Sequence, residues 1–197
     1  MIQRLYLSAN SRYVSRFTGL PAKSTIIMPL KVPIGDDSMA DSSESDHVDL
    51  ERFLQQKGVW FRIVQKSLTV HTADASRVTG ISLDRITKSL VFMADGKPIL
   101  AVVPGDRKVD SRKLAKVVGA QKVELVPFEE AEKFSGYPPG GTSPVYHANI
   151  DRVVFDSELE RFETIYGGGG GRDRLIEIRF HDALTLSNAT VADISRS

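Results

Sequence analysis

Asp95-Gly96 stands between two mostly apolar runs, Ile86 to Met93 and Pro98 to Val103. An Asp-Gly pair in that setting specifies a two-residue hairpin, because both central residues of the favoured turn need positive φ. Two antiparallel strands are therefore fixed in the middle of the chain. Around them helical and strand periods alternate. Asp49 to Lys57 carries Leu50, Phe53 and Leu54 at helical spacing, with Gly58 as a stop. Trp60 to Val64 and Leu68 to Val70 read as short strands, and Thr72 reads as the N-cap of a helix ending at Gly80. Asp110 caps a helix to about Val118, Lys122 to Val126 is a strand, and Pro127 opens a helix running to about Phe134. Asp151 to Phe155, Glu163 to Tyr166, Leu175 to Phe180 and Ala189 to Ile194 are further strands, with a short helix at Asp182 to Leu186. This interspersed order predicts a single α/β domain with a curved, mixed, barrel-like sheet flanked by helices.

Residues 1–46 do not share this pattern. Five basic and no acidic residues precede Gly35, and five acidic and no basic residues follow between Asp36 and Asp46. The Ser/Asp-rich second stretch reads as disordered. The segment is expected to be disordered or spurious sequence ahead of a true start at Met39, with a transit peptide as the other reading. The folded domain is expected over 47–197.

Composition narrows the chemistry. The absence of Cys removes disulfides, thiolate nucleophiles and thiolate metal sites. Four scattered His without ligand spacing predict no metal, and no G-x-G-x-x-G or P-loop points to a nucleotide cofactor. No window approaches a membrane span. With 26 basic and 25 acidic residues, the net charge of +1 does not suit a protein that coats a duplex. Contact with nucleic acid should be local.

Three segments carry candidate chemistry. Lys88 lies within the strand Ile86-Thr-Lys-Ser-Leu-Val-Phe92, where Lys is disfavoured; it either faces solvent or serves a site. Gly136-Tyr-Pro-Pro-Gly-Gly-Thr-Ser-Pro144 is a stiff loop whose bare amides can hold an oxyanion, or an ordinary surface turn. Gly167 to Gly171, followed by Arg172, is either a close-approach segment or a flexible hairpin loop.

Lys88 in its strand, Pro98-Ile-Leu-Ala-Val-Val-Pro-Gly-Asp-Arg-Lys-Val-Asp110 and Ser135-Gly-Tyr-Pro-Pro-Gly-Gly-Thr-Ser-Pro144 resemble the YbaK family of aminoacyl-tRNA editing domains, in order and spacing, over roughly Asp49 to Ile194. The resemblance implies a trans-acting, cytoplasmic aminoacyl-tRNA deacylase that acts on the charged 3′ end of tRNA, with an aminoacyl-tRNA synthetase as a possible partner and no cofactor. It places catalysis on Lys88, Gly140 and Gly141. Around them it sets a substrate-binding group of His71, Thr72, Asp106, Arg107, Tyr137, Thr142, Ser143, Pro144, Tyr146, Gly168 and Gly169. Tyr146 departs from the family, where Gly or Ala is common, and leaves the amino acid undecided. No protein nucleophile stands out, since Ser143 precedes Pro144 and no G-x-S-x-G elbow is present. Attack by water or by the substrate's own group, without an acyl-enzyme, is expected. His71 and His147 each read as a general base or as a locally bonded ring. A non-catalytic tRNA- or synthetase-binding module, and a hydrolase of another small ester, are the alternatives.

Overall fold

The computed structural model describes residues 49–197, so the expectations for residues 1–46 lie outside the described residues. Helix α1 (Leu50–Lys57) starts at Asp49, whose carboxylate accepts from the Arg52 N–H at 3.0 Å, and ends at Gly58 with φ of 65°. Strand β1 (Phe61–Gln65) follows. Leu68 to Val70 forms no strand. Helix α2 (Thr72–Thr79) has His71, not Thr72, as its N-cap, in extended conformation and without a side-chain bond. Thr72 is thus the first helical residue.

Strands β2 (Thr87–Ala94) and β3 (Lys97–Pro104) form the expected hairpin; Asp95 and Gly96 both have positive φ, 46° and 84°. Short β4 (Lys108–Val109) leads to helix α3 (Ser111–Val118), where Asp110 accepts from the N–H groups of Arg112 and Lys113 at 2.9 and 3.2 Å. Strand β5 (Val123–Leu125) is followed by turns over 128–131, and helix α4 (Glu132–Ser135) begins five residues after Pro127. The expected helix start at Pro127 is therefore corrected: the segment bends at the edge of the sheet before it coils. Strands β6 (Arg152–Asp156), β7 (Thr164–Gly168) and β8 (Arg174–Arg179), helix α5 (Phe180–Ser187), and strands β9 (Thr190–Ala192) and β10 (Ser195–Arg196) complete the domain.

The α/β class with a mixed sheet holds, but the strands divide among three sheets. Five strands lie in the order β5-β2-β3-β6-β9, with β3 antiparallel to β2 and parallel to β6. Three lie in the order β1-β8-β7, and β4 pairs with β10. A parallel bridge between Ile86 and Tyr166 joins the two larger sheets. Strand β3 is central and buried on both faces, which explains its unbroken apolar run. Leu100 and Val102 pack towards α1 and β8, while Ala101 and Val103 pack towards α3.

One irregularity opens a site. Strand β2 pairs with β3 along its full length, but β5 covers only Phe92 to Ala94 on the other side. The Val126 N–H still reaches the Val91 carbonyl at 3.0 Å. Beyond that point the outer edge of β2 has no covering strand among the described residues.

Candidate functional site

The uncovered edge of β2 forms one wall of a cleft of about 440 Å³. Ile86 to Val91 line this wall, Val70 to Ala73 line a second, and Pro139, Gly140, Thr142 and Gly168 line a third. Lys88 and Gly140, which come from distant parts of the sequence, share this space.

The Lys88 side chain is half-buried, and its ammonium donates to the Arg107 carbonyl. Burial holds its pKa below that of an ordinary lysine; Asp106 opposes this and Lys108 adds to it. Asp106 therefore acts on the site through charge from an exposed position. The Arg107 guanidinium turns away, to Ser197 Oγ at 3.1 Å and Glu158 at 3.8 Å, and only its carbonyl serves the cleft. Gly105 makes that turn possible. A Cβ there would stand 2.5 Å from the Leu83 carbonyl and 2.7 Å from that of Ile86.

Alternation along β2 identifies further groups. Hydrogen-bonded pairing of Val91 with the β5 side directs the N–H and C=O of Ser89 to the same, uncovered edge. The Ser89 hydroxyl is buried without a partner among the described residues, and Ser89 lines the cleft. Such a group calls for a ligand or water.

The glycine segments meet backbone to backbone. Gly140 has φ of 86°, and a Cβ on it would stand 3.0 Å from the Val70 Cα. The Gly141 N–H donates to the Pro138 carbonyl at 2.8 Å, and its carbonyl accepts from the Gly170 N–H at 3.0 Å. Gly141 thus shapes the turn, while Gly140, whose N–H has no backbone acceptor among the described residues, is a lining residue of the cleft. Pro138 and Pro139 have no N–H to offer. Gly168 belongs to β7 and lines the cleft; Gly169 does not. Arg172 Nε donates to the Pro139 carbonyl at 2.9 Å.

Of the other sequence candidates, His71 and Thr72 line the cleft at the start of α2, as does Thr142. Tyr137, Ser143, Pro144, Tyr146 and His147 stand behind the loop. Tyr137 is buried, its hydroxyl donates to the Tyr146 carbonyl at 2.5 Å, and burial raises its pKa. Ser143 is fully buried and its Oγ accepts from the Val145 N–H at 3.1 Å. Tyr146, with φ of 58°, stacks on Phe53 at 3.9 Å between ring centroids. His147 Nε2 lies 2.9 Å from the Ser143 carbonyl; since a carbonyl only accepts, Nε2 carries the proton. Burial drives its pKa down to about 4, against the pull of that hydrogen bond.

Sequence reasoning missed Lys66, Thr69, Ser89 and Gly105. Lys66 is the second ammonium in the cleft wall. It donates to Thr69 Oγ1 at 2.6 Å and to the Arg172 carbonyl, and burial lowers its pKa while Asp173 opposes the shift. No spacing in the sequence marks it, because it sits in an irregular segment after β1.

Comparison with known proteins follows the same lines. Residues 67–186 match the model of a family described as "Aminoacyl-tRNA editing domain". A proline–tRNA ligase of Nitratidesulfovibrio vulgaris (strain DP4) is 41% identical over 91 residues, which are 46% of this chain but only 16% of that protein. An Enterococcus faecalis protein named "Putative Cys-tRNA(Pro)/Cys-tRNA(Cys) deacylase EbsC" is 29% identical over 161 residues, 80% of this chain and 98% of that one. Among solved structures, "a putative trans-editing enzyme for prolyl tRNA synthetase" has a TM-score of 0.66 at 26% identity, covering 73% of this chain and 92% of that chain. A crystal structure of a hypothetical protein reaches a TM-score of 0.69 at 30% identity, covering 74% and 98%.

Proposed function

Since the chain belongs to the aminoacyl-tRNA editing domain family, we propose that it hydrolyses, in trans, the ester that joins a wrong amino acid to the 3′ end of tRNA. The observation that carries this reading is the meeting of Lys88 and Gly140 in one cleft large enough for an aminoacyl nucleoside. A water attacks the ester carbonyl, the carbonyl oxygen becomes an oxyanion, and the bond to the ribose oxygen breaks. That ribose oxygen takes up a proton released by the water. In this reading the Gly140 N–H and the Lys88 ammonium stabilise the oxyanion, a type of interaction whose loss costs about 10²–10³ in kcat. The Arg107 carbonyl and Asp106 keep the ammonium in place.

The protein supplies no nucleophile in this scheme. The Ser143 hydroxyl is buried and engaged, and His147 is neutral and turned to a carbonyl. Ser89, whose carbonyl edge and hydroxyl have no partner among the described residues, is suited to hold the α-ammonium of the aminoacyl group. Tyr146 lies behind the loop, so its contribution to substrate choice runs through loop position. The setting is the cytoplasm, where tRNAs are charged, with a synthetase as a natural neighbour.

The test is release of free amino acid from a panel of mischarged tRNAs. Turnover by the native chain, lost in Lys88→Ala with the fold intact, is the expected result. Turnover that survives Lys88→Ala removes Lys88 from the mechanism. Trapping of an amino acid on Ser143 overturns the water route. Binding of tRNA without turnover reduces the chain to a recognition module.

A further inference from the structure

A cleft of about 440 Å³ holds an aminoacyl nucleoside and little more. If the editing reading is right, the rest of the tRNA strand must leave over one rim of the cleft. Two rims expose apolar side chains. One presents Leu125 and Phe128, 58% and 48% exposed; the other presents Leu68, Val70 and Val78, 78%, 37% and 45% exposed. Shape therefore does not separate them, but charge does.

Beside Leu125 and Phe128 stand Glu124, Glu129, Glu130 and Glu132, all exposed. Lys122 pairs with Glu124 and Lys133 with Glu130, which leaves Glu129 and Glu132 without a salt bridge among the described residues. A phosphodiester is repelled there. The other rim carries Arg77, Arg172 and His71 around a second groove of about 510 Å³. Asp74 pairs with Arg77, so these two cancel, and nearby Asp173 pairs with Arg174, which leaves Arg172 as the uncompensated cation of this rim among the described residues. The Arg172 guanidinium uses only Nε, on the Pro139 carbonyl, and has no carboxylate within salt-bridge distance among the described residues. The two hollows are neighbours, since Thr69, Val70 and His71 line both.

We infer that the second groove receives the nucleotide immediately 5′ of the terminal adenosine. The strand crosses the Thr69–His71 ridge, sets its base against Leu68 and Val78, and lays its phosphate towards Arg77 and Arg172. The inference rests on the editing reading and adds to it the direction in which the polynucleotide leaves. Part of the affinity for the tRNA strand then comes from a local patch outside the cleft, in keeping with a chain whose net charge is only +1.

The experiment compares two kinds of ester on each variant: mischarged tRNAs, alanyl- and cysteinyl-tRNA for proline among them, and the matching 3′-aminoacyl-adenosines, which end before the groove. Arg77→Glu and Leu68→Ser are expected to raise KM for the tRNA severalfold or more, to leave kcat within about twofold, and to leave the adenosine esters unaffected. Arg77→Glu should also flatten the salt dependence of log(kcat/KM) for tRNA by about one unit of slope. Leu125→Ser and Phe128→Ser, at residues that line the cleft itself, should act alike on the tRNA and the adenosine esters. The inference is overturned if the Leu125 and Phe128 variants raise KM for tRNA while sparing the adenosine esters, or if Arg77→Glu acts equally on both esters. Failure of the native chain to cleave either kind of ester sinks the editing reading and takes the groove with it, whereas cleavage of both with no effect of Arg77→Glu sinks the groove alone.

Discussion

Ser89 gives the site a residue whose structural and functional roles pull in opposite directions. Its hydroxyl is buried and has no partner among the described residues, a situation that costs about 1–3 kcal/mol in a folded protein. Removing the hydroxyl in Ser89→Ala should leave stability unchanged or raise it. If the same hydroxyl holds the α-ammonium, KM for mischarged tRNA should rise severalfold with little change in kcat. Thermal unfolding and steady-state kinetics on one sample check both halves; a stable variant with unaltered KM removes Ser89 from substrate binding. Lys88 stands out in the sequence because a lysine amid apolar strand residues needs a reason, and Gly140-Gly141 because two adjacent glycines flanked by prolines offer bare amides; the fold brings Lys88 and Gly140 to one cleft, while the Gly141 N–H is taken by the Pro138 carbonyl. Ser89 does not stand out. Its relevance comes from β5 stopping short, a fact of pairing that no local pattern carries. Lys66 was hidden for a similar reason, since its partners Thr69 and the Arg172 carbonyl meet only once the loops are packed.

At the scale of elements, the site depends on two glycine segments that touch through their backbones. A Cβ on Gly168 would lie 2.5 Å from the Gly141 carbonyl oxygen and would also strike that of Thr142, and neither can yield without moving the loop that presents Gly140. A Cβ on Gly171 would meet the Asp173 carboxylate at 2.6 Å, the end of a side chain that can swing aside. Gly168→Ala is therefore expected to destabilise by about 1–3 kcal/mol and to reduce kcat, while Gly171→Ala is nearly silent. Equal effects from the two would mean that the close approach does not position the loop. The caps and the hairpin were readable in advance: Asp49, Asp110 and Asp95-Gly96 act within a few residues, where local chemistry decides. The misread elements all depend on distant partners. Leu68 to Val70 has strand composition but lies against Gly140 and Arg172, with the Thr69 N–H bonded to the Arg172 carbonyl at 3.1 Å. Pro127 has the residues of a helix start, yet Val126 is still bonded to β2 and holds the following turn at the sheet edge.

Across the whole molecule, the cleft exists because the two larger sheets meet at Ile86 and Tyr166, and that junction is tied to a buried carboxylate. The Thr87 hydroxyl donates to the Tyr166 carbonyl at 3.1 Å, while the Tyr166 hydroxyl donates to Glu177 at 2.8 Å. Arg62 and Thr164 donate to Glu177 at 2.8 and 3.0 Å. Burial alone would raise the Glu177 pKa, but the hydrogen bonds from Tyr166, Arg62 and Thr164 outweigh it and hold it below the usual glutamate value. The ionised form is thus favoured by folding, so its stabilisation is present above the ordinary glutamate pKa and is lost as pH falls below it. His147 works in the same direction one step earlier. Its pKa of about 4 lies below the ordinary 6.5, so the unfolded chain binds the proton first, and stability declines as pH falls from about 6.5 to 4. That decline amounts to at most about 3 kcal/mol. Urea unfolding between pH 7 and pH 3.5 should therefore show a loss that begins above pH 5, before Glu177 titrates, and steepens below it. His147→Gln, which retains an N–H for the Ser143 carbonyl, should remove the upper part of the slope and leave the lower. Glu177→Gln should flatten only the lower part. An upper slope that persists in His147→Gln would assign it to other groups and show that the ring behind the loop is not held neutral by the fold.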